Sequence, residues 1–185
     1  MSGLETALWI AGGLLAVHVF AGAARHFWTR RDPAGNDEKG LVIFAESIRW
    51  LGVRWGAAAV AAGLRDAGFQ GRFLYWPWHT WWQGTLVLPA ILPRRMLERE
   101  ARKLAGFIAA RRREHPRRPI YLIGYSCGAF VAIRALELLD EDVQVDSAAM
   151  LAGAFDPRRD LSGACARVAG PVVVTSSVAD WLILG

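Results

Sequence analysis

Short apolar runs alternate with longer helical patterns along most of this chain. Residues 41–45, LVIFA, are uniformly apolar and have the length of a buried strand. Four further strands are predicted, at 72–76, at 119–124, within 146–154 and at 171–177. Helical patterns lie between these strands, at 55–68, 93–114 and 129–139. The alternation predicts an α/β domain, in which helices flank both faces of a mostly parallel sheet.

The N-terminal segment has a different pattern. From Thr6 to Ala24 the chain carries no Asp, Glu, Lys or Arg over 19 residues, close to the roughly 20 that cross a bilayer core. Basic residues follow at Arg25, Arg30 and Arg31, which places that side in the cytoplasm by the positive-inside rule. We therefore expect a transmembrane anchor over 4–24, in a single-pass membrane protein whose globular domain is cytoplasmic. A cleaved signal peptide and a buried core helix are the alternatives.

The remaining boundaries follow from composition. Residues 25–40 are basic and polar and contain Pro and Gly breakers, so they are predicted to be a linker. Residues 41–185 are predicted to form one domain.

The segment from Arg94 to Arg118 is strongly basic, with ten Arg and Lys residues and only three Glu residues. This segment is interpreted as a solvated helix face, with binding to anionic membrane lipids as the alternative. No nucleic-acid-binding module accompanies the charge, and the two cysteines form no zinc pattern, so we expect neither nucleic acid, nor metal, nor an organic cofactor.

One motif carries candidate chemistry. Gly124, Ser126 and Gly128 fit G-x-S-x-G, between an apolar strand and an apolar helix. A sharp turn there would strain Ser126, and the glycines would let neighbouring backbone pass without a clashing Cβ atom. The helix N-terminus would direct the N–H of Cys127 toward an oxyanion. The alternative is that Ser126 is only a small residue in a tight connection.

On this motif, the order of strands and helices and an acid after a late strand, residues 41–185 resemble the α/β-hydrolase superfamily. The resemblance implies a triad in the order Ser, acid, His. It implies Asp180, after the fifth strand, as the acid, with Asp156 after the fourth strand as the alternative. It also implies a second oxyanion donor after the first strand, where the main-chain N–H of Ser47 or of Ile48 is the candidate. Glu46 beside it is expected to be a solvated loop residue, or else to bear on substrate choice.

The chain departs from this pattern in its histidines. All four precede Ser126, and they are His18, His26, His79 and His115. A serine without a base is a poor nucleophile. The pattern therefore predicts a piece of a longer product; a degenerate, shortened hydrolase and a substitute base at His79 are the alternatives.

The tryptophan-rich run 76–82 bears on the substrate. It is interpreted either as a lining for an apolar acyl group or membrane interface, or as a loop folded onto the core. We therefore expect a membrane-anchored serine hydrolase for a small, apolar acyl substrate such as an ester. The alternative is a non-catalytic binding or scaffold protein with the same fold.

Overall fold

The computed structural model describes residues 3–28, 35–47, 56–78, 94–156 and 158–175. In chain order its elements are α1 (Gly3–Trp28), β1 (Asn36–Ala45), α2 (Ala57–Asp66), β2 (Gly71–Trp76), α3 (Arg94–Glu114), β3 (Ile120–Tyr125), α4 (Cys127–Glu137), β4 (Ser147–Leu151), α5 (Ser162–Cys165) and β5 (Val172–Thr175).

The five strands form one sheet in the order β2-β1-β3-β4-β5, and every neighbouring pair is parallel. The predicted α/β fold with a parallel sheet is therefore confirmed. Strand β1 begins at Asn36, inside the segment predicted as a linker, with an irregular register between Asn36 and Leu41. Ala45 at the end of β1 pairs with Gly124 of β3, so the loops after both strands leave the same edge of the sheet.

Side chains alternate along β1 between two apolar clusters. Leu41 and Ile43 face α3 and α4, which contribute fully buried side chains such as Leu104 and Ile133. The intervening residues of β1, Val42 and Phe44, face α2 on the opposite side of the sheet, in a smaller cluster. Because β1 is covered on both faces, it forms the rigid centre from which the site is built.

One arginine fixes the amino end of β3. The guanidinium of Arg112, near the end of α3, donates to the Asp146 carboxylate at 2.7 Å and to the main-chain oxygen of Gln144 at 2.9 Å. The same carboxylate accepts the N–H of Ile120 at 2.7 Å. Because Asp146 bridges helix and strand, β3 is fixed at the end opposite the candidate site.

Helix α1 covers the segment predicted as an anchor over 4–24. The segment is helical, but no helix among the described residues is long and apolar enough to cross a membrane. The predicted transmembrane span is therefore not supported, and Gly12, Gly13 and His18 are among the residues that lower the mean hydropathy of α1. Eight large apolar side chains of α1 are each at least 55% exposed, and they are Leu4, Leu8, Trp9, Ile10, Leu14, Leu15, Val17 and Phe20.

Candidate active site

Ser126 occupies the sharp turn between β3 and α4. Its backbone dihedrals are φ 53° and ψ −121°, a conformation that L-residues rarely adopt. Such a residue stores about 1–3 kcal/mol of strain and persists only where the surroundings enforce it. The strained turn predicted from the G-x-S-x-G motif is present.

Two glycines allow the backbone to pack closely around this turn. A Cβ atom at Gly124 would lie 2.5 Å from the Cα of Ala129 in the first turn of α4. A Cβ atom at Gly128 would overlap the main-chain oxygen of Ala45 and lie 2.5 Å from that of Glu46. Both glycines of the motif are therefore required by close backbone approach, and α4 begins directly against the end of β1.

Main-chain hydrogen bonds hold the turn from the other side. The N–H of Ser126 donates to the oxygen of Leu151 in β4 at 2.9 Å. The oxygen of Ser126 accepts the N–H of Ala129 at 3.0 Å and that of Ala154 at 3.1 Å. Ser126 is thus tied both to its own helix and to the chain that follows β4.

Cys127 is the first residue of α4. Its main-chain N–H lies in the first turn of the helix, where N–H groups have no acceptor four residues earlier and favour negative charge. Burial raises the pKa of its thiol, and a hydrogen bond with the Ser126 side chain opposes the rise. Because a thiol is only a weak hydrogen-bond donor, the main-chain N–H is the stronger group that Cys127 can offer to an oxyanion.

Glu46 is completely buried, so its predicted place in a solvated loop is wrong. Its carboxylate accepts the N–H of Gly56, the residue that precedes α2, at 2.5 Å. Its main-chain oxygen accepts the indole N–H of Trp78. The acid is buried because it satisfies a helix N-terminus, and this depends on partners 10 and 32 residues away.

Ser47, the predicted second oxyanion donor, follows directly. It is half-buried and lies two residues beyond Ala45, as Ser126 lies two residues beyond Gly124. Because Ala45 and Gly124 are paired in adjacent strands, Ser47 and Ser126 emerge at the same edge of the sheet. The fold therefore brings the candidate nucleophile and both candidate donors into one region.

The alternative acid, Asp156, lies in the loop after β4. It is exposed, and its carboxylate accepts the N–H of Arg158 at 2.8 Å. The loop reaches Ser126 through the main chain of Ala154 and is fastened to α4 by the ion pair of Arg159 with Glu137 at 2.8 Å. The preferred acid, Asp180, lies outside the described residues.

Two comparisons with known proteins bear on this site. Residues 96–183 match the family model described as serine aminopeptidase, S33. The structure is similar to that of a Trichoderma reesei cutinase in complex with a C11Y4 phosphonate inhibitor, with 16% sequence identity and a TM-score of 0.53. That alignment covers 91% of this chain and 78% of the cutinase chain. No curated protein matches the sequence.

The family match over residues 96–183 and the fold shared with the cutinase agree with the resemblance to the α/β-hydrolase superfamily. The family match contains Ser126 and both candidate acids, whereas Ser47 lies before it. The superfamily triad also requires a histidine, which the described residues do not place beside Ser126. His115 lies just after α3, at the amino edge of the sheet, while His18 and His26 belong to α1 and His79 lies outside the described ranges.

The described part of the tryptophan-rich run belongs to the core. Trp78 is only 2% exposed, and Trp76 packs against Phe107 with 5.1 Å between the two ring centroids. Residues 79–82 lie outside the described ranges. Among the described residues, no cluster of three His, Cys, Asp or Glu side chains could hold a metal ion.

Substitution of Gly128 by Ala tests the close packing around the turn at Ser126. The added methyl group overlaps main-chain oxygens at the end of β1, so we expect the free energy of unfolding to fall by about 1–3 kcal/mol or more. Chemical denaturation followed by circular dichroism measures the change. The control is Gly106→Ala in α3, where a Cβ atom meets nothing within 4 Å and should stabilise the helix by about 0.5–1 kcal/mol. Equal stability of Gly128→Ala and the wild type would contradict the packing described.

Proposed function

We propose that this protein is a serine hydrolase that cleaves an ester or a related acyl substrate, with Ser126 as the nucleophile. The observation that carries the proposal is the strained conformation of Ser126 between β3 and the N-terminus of α4. This turn places the half-buried Ser126 at the edge of the sheet where α/β proteins bind ligands. The match of residues 96–183 to the serine aminopeptidase family and the fold similarity to a cutinase support hydrolysis as the reaction class.

The proposed reaction has two steps. The Ser126 hydroxyl attacks the carbonyl carbon of the substrate while a histidine accepts its proton, with Asp180 orienting that histidine. The negative charge on the carbonyl oxygen is stabilised by the N–H groups of Cys127 and Ser47. The leaving alcohol takes the proton from the histidine, and a covalent acyl-enzyme remains. Water, activated by the same histidine, then releases the acid and restores Ser126.

A small ester is the proposed substrate class. The support is the structural similarity to a cutinase bound to a phosphonate inhibitor, together with the aromatic residues that follow β2. Because Trp76 and Trp78 pack in the core, residues 79–82 are the part of this run that we propose to contact an apolar acyl group. The proposed chemistry uses only amino-acid side chains and main-chain N–H groups.

We also propose that α1 binds membrane lipids. Its exposed apolar side chains lie on all sides of the helix, and large apolar surfaces of this kind are seldom left in water. The predicted localisation, a single-pass protein with the hydrolase domain in the cytoplasm, stays a prediction.

Replacement of Ser126 by Ala tests the nucleophile. In the full-length gene product we expect hydrolysis of short-chain p-nitrophenyl esters to fall by at least about 10³-fold, because no acyl-enzyme can form. Ser147→Ala, at the opposite end of β4 from the site, is the matched control and should keep wild-type activity. Full activity of Ser126→Ala would refute the assignment. A folded wild-type protein that cleaves no ester, thioester or amide would favour the non-catalytic binding protein.

Replacement of each candidate acid by asparagine shows which of them, Asp180 or Asp156, orients the histidine. Asp180→Asn should lower kcat by up to about 10⁴-fold, because the amide no longer stabilises the protonated histidine. Asp156→Asn should change kcat by less than about threefold, since this exposed carboxylate serves the turn to Arg158. Steady-state kinetics on the same ester measures both variants. The reverse order of the two effects would assign the role to Asp156.

Removal of residues 1–28 tests the role of α1. We expect the full chain to float with liposomes in a density gradient and the shortened protein to stay at the bottom, because the exposed apolar side chains are lost. The double variant Leu14→Glu, Val17→Glu in the complete helix should also detach. Arg94→Glu in α3 is the control for nonspecific charge effects. Flotation of the shortened protein would contradict binding through α1.

A further inference from the structure

Glu46 and Glu100 are the two buried acidic residues of the described ranges, and their surroundings differ. Glu100 is 6% exposed and pairs with Arg99 and Lys103 on the surface of α3. Glu46 is completely buried at the carboxyl edge of the sheet, where its carboxylate accepts the N–H of Gly56. Burial of a carboxylate is costly unless it is hydrogen-bonded. Its retention at this edge therefore calls for a reason beyond the packing of an apolar core.

The main chain of Glu46 is held on two further sides. Trp78, after β2, donates its indole N–H to the oxygen of Glu46. Gly128, in the first turn of α4, approaches so closely that an added Cβ would lie 2.5 Å from this oxygen. The side chain and main chain of one residue thus join the ends of β1 and β2 to the beginnings of α2 and α4.

This arrangement fixes the orientation of one peptide unit. The oxygen of Glu46 and the N–H of Ser47 belong to the same planar peptide group, and no peptide bond of the described chain is cis. The N–H of Ser47 therefore points opposite to the oxygen that Trp78 and Gly128 confine. A donor whose direction is set before the substrate arrives requires no reorganisation during the reaction.

We propose that Glu46 is a positioning residue for the oxyanion site. Its carboxylate ties the chain after β1 to the N-terminus of α2, and this holds the peptide unit between Glu46 and Ser47 in the orientation needed to bind the carbonyl oxygen of the substrate. The inference rests on the proposed hydrolase function, since it assigns the N–H of Ser47 to that reaction.

Three variants test the proposal in the full-length gene product. Glu46→Ala removes the acceptor, and kcat should fall about 10²–10³-fold, as for loss of one oxyanion donor, while KM changes less than about threefold. Glu46→Gln retains a carbonyl oxygen toward Gly56 and should restore kcat to within about tenfold of the wild type. Glu100→Ala removes the other buried acid, which pairs with Arg99 and Lys103 on α3, and should leave kcat unchanged.

Amide hydrogen exchange provides a readout that does not depend on activity. In Glu46→Ala, exchange at Ser47 and Gly56 should accelerate at least about tenfold, while exchange in β3 should stay as in the wild type. Glu100→Ala should leave the exchange of Ser47 and Gly56 unchanged.

The outcomes separate this inference from the proposed function. Unchanged kcat in folded Glu46→Ala, or an equal loss in Glu46→Ala and Glu100→Ala, would overturn the inference and leave the hydrolase intact. A wild type without hydrolase activity would instead refute the proposed function and, with it, any role of Glu46 in an oxyanion site. In that case, faster exchange at Ser47 and Gly56 in Glu46→Ala would still show that Glu46 orders the chain at this edge of the sheet. Unchanged exchange would overturn that part as well.

Discussion

The backbone conformation of Ser126 is the constraint on which the rest of the site depends. A positive φ at a residue with a side chain is unfavourable, and the surroundings must supply the energy that maintains it. They do so by close packing, because Gly124 and Gly128 admit the main chains of α4 and β1 at distances that exclude any Cβ atom. Hydrogen bonds from Ser126 to Leu151 and from Ala154 complete the enclosure.

The parallel sheet explains why the candidate groups meet. All five strands point in the same direction, so the chain leaves each of them at one edge. Ser126 follows β3, Ser47 follows β1 and the loop of Asp156 follows β4, and these three strands are neighbours. The amino end of β3 is fixed at the opposite edge by Arg112 and Asp146. The parallel topology therefore brings these candidate residues to one edge of the sheet, and the strained turn fixes the orientation of Ser126.

Much of this fold and part of this site follow from the sequence. The five strands and the strained turn are predictable because short apolar runs and the glycine spacing are local signals. The start of β1 at Asn36 is not, since its first residues are polar and gain strand structure from the pairing of Asn36 with Gly71. The burial of Glu46 is equally hidden, because its partners Gly56 and Trp78 are distant in sequence. The exposure of the apolar side chains of α1 also cannot be read from the sequence, because exposure depends on tertiary contacts.

The central claim is that Ser126 acts as a nucleophile, and mapping a covalent adduct tests it most directly. The full-length gene product would be treated with a fluorophosphonate, digested, and analysed by mass spectrometry. We expect a single phosphonyl group on Ser126, in the peptide that joins β3 to α4, formed by the folded protein and not by the denatured one. A folded protein that remains unmodified, or one whose adduct lies on another residue, would contradict it.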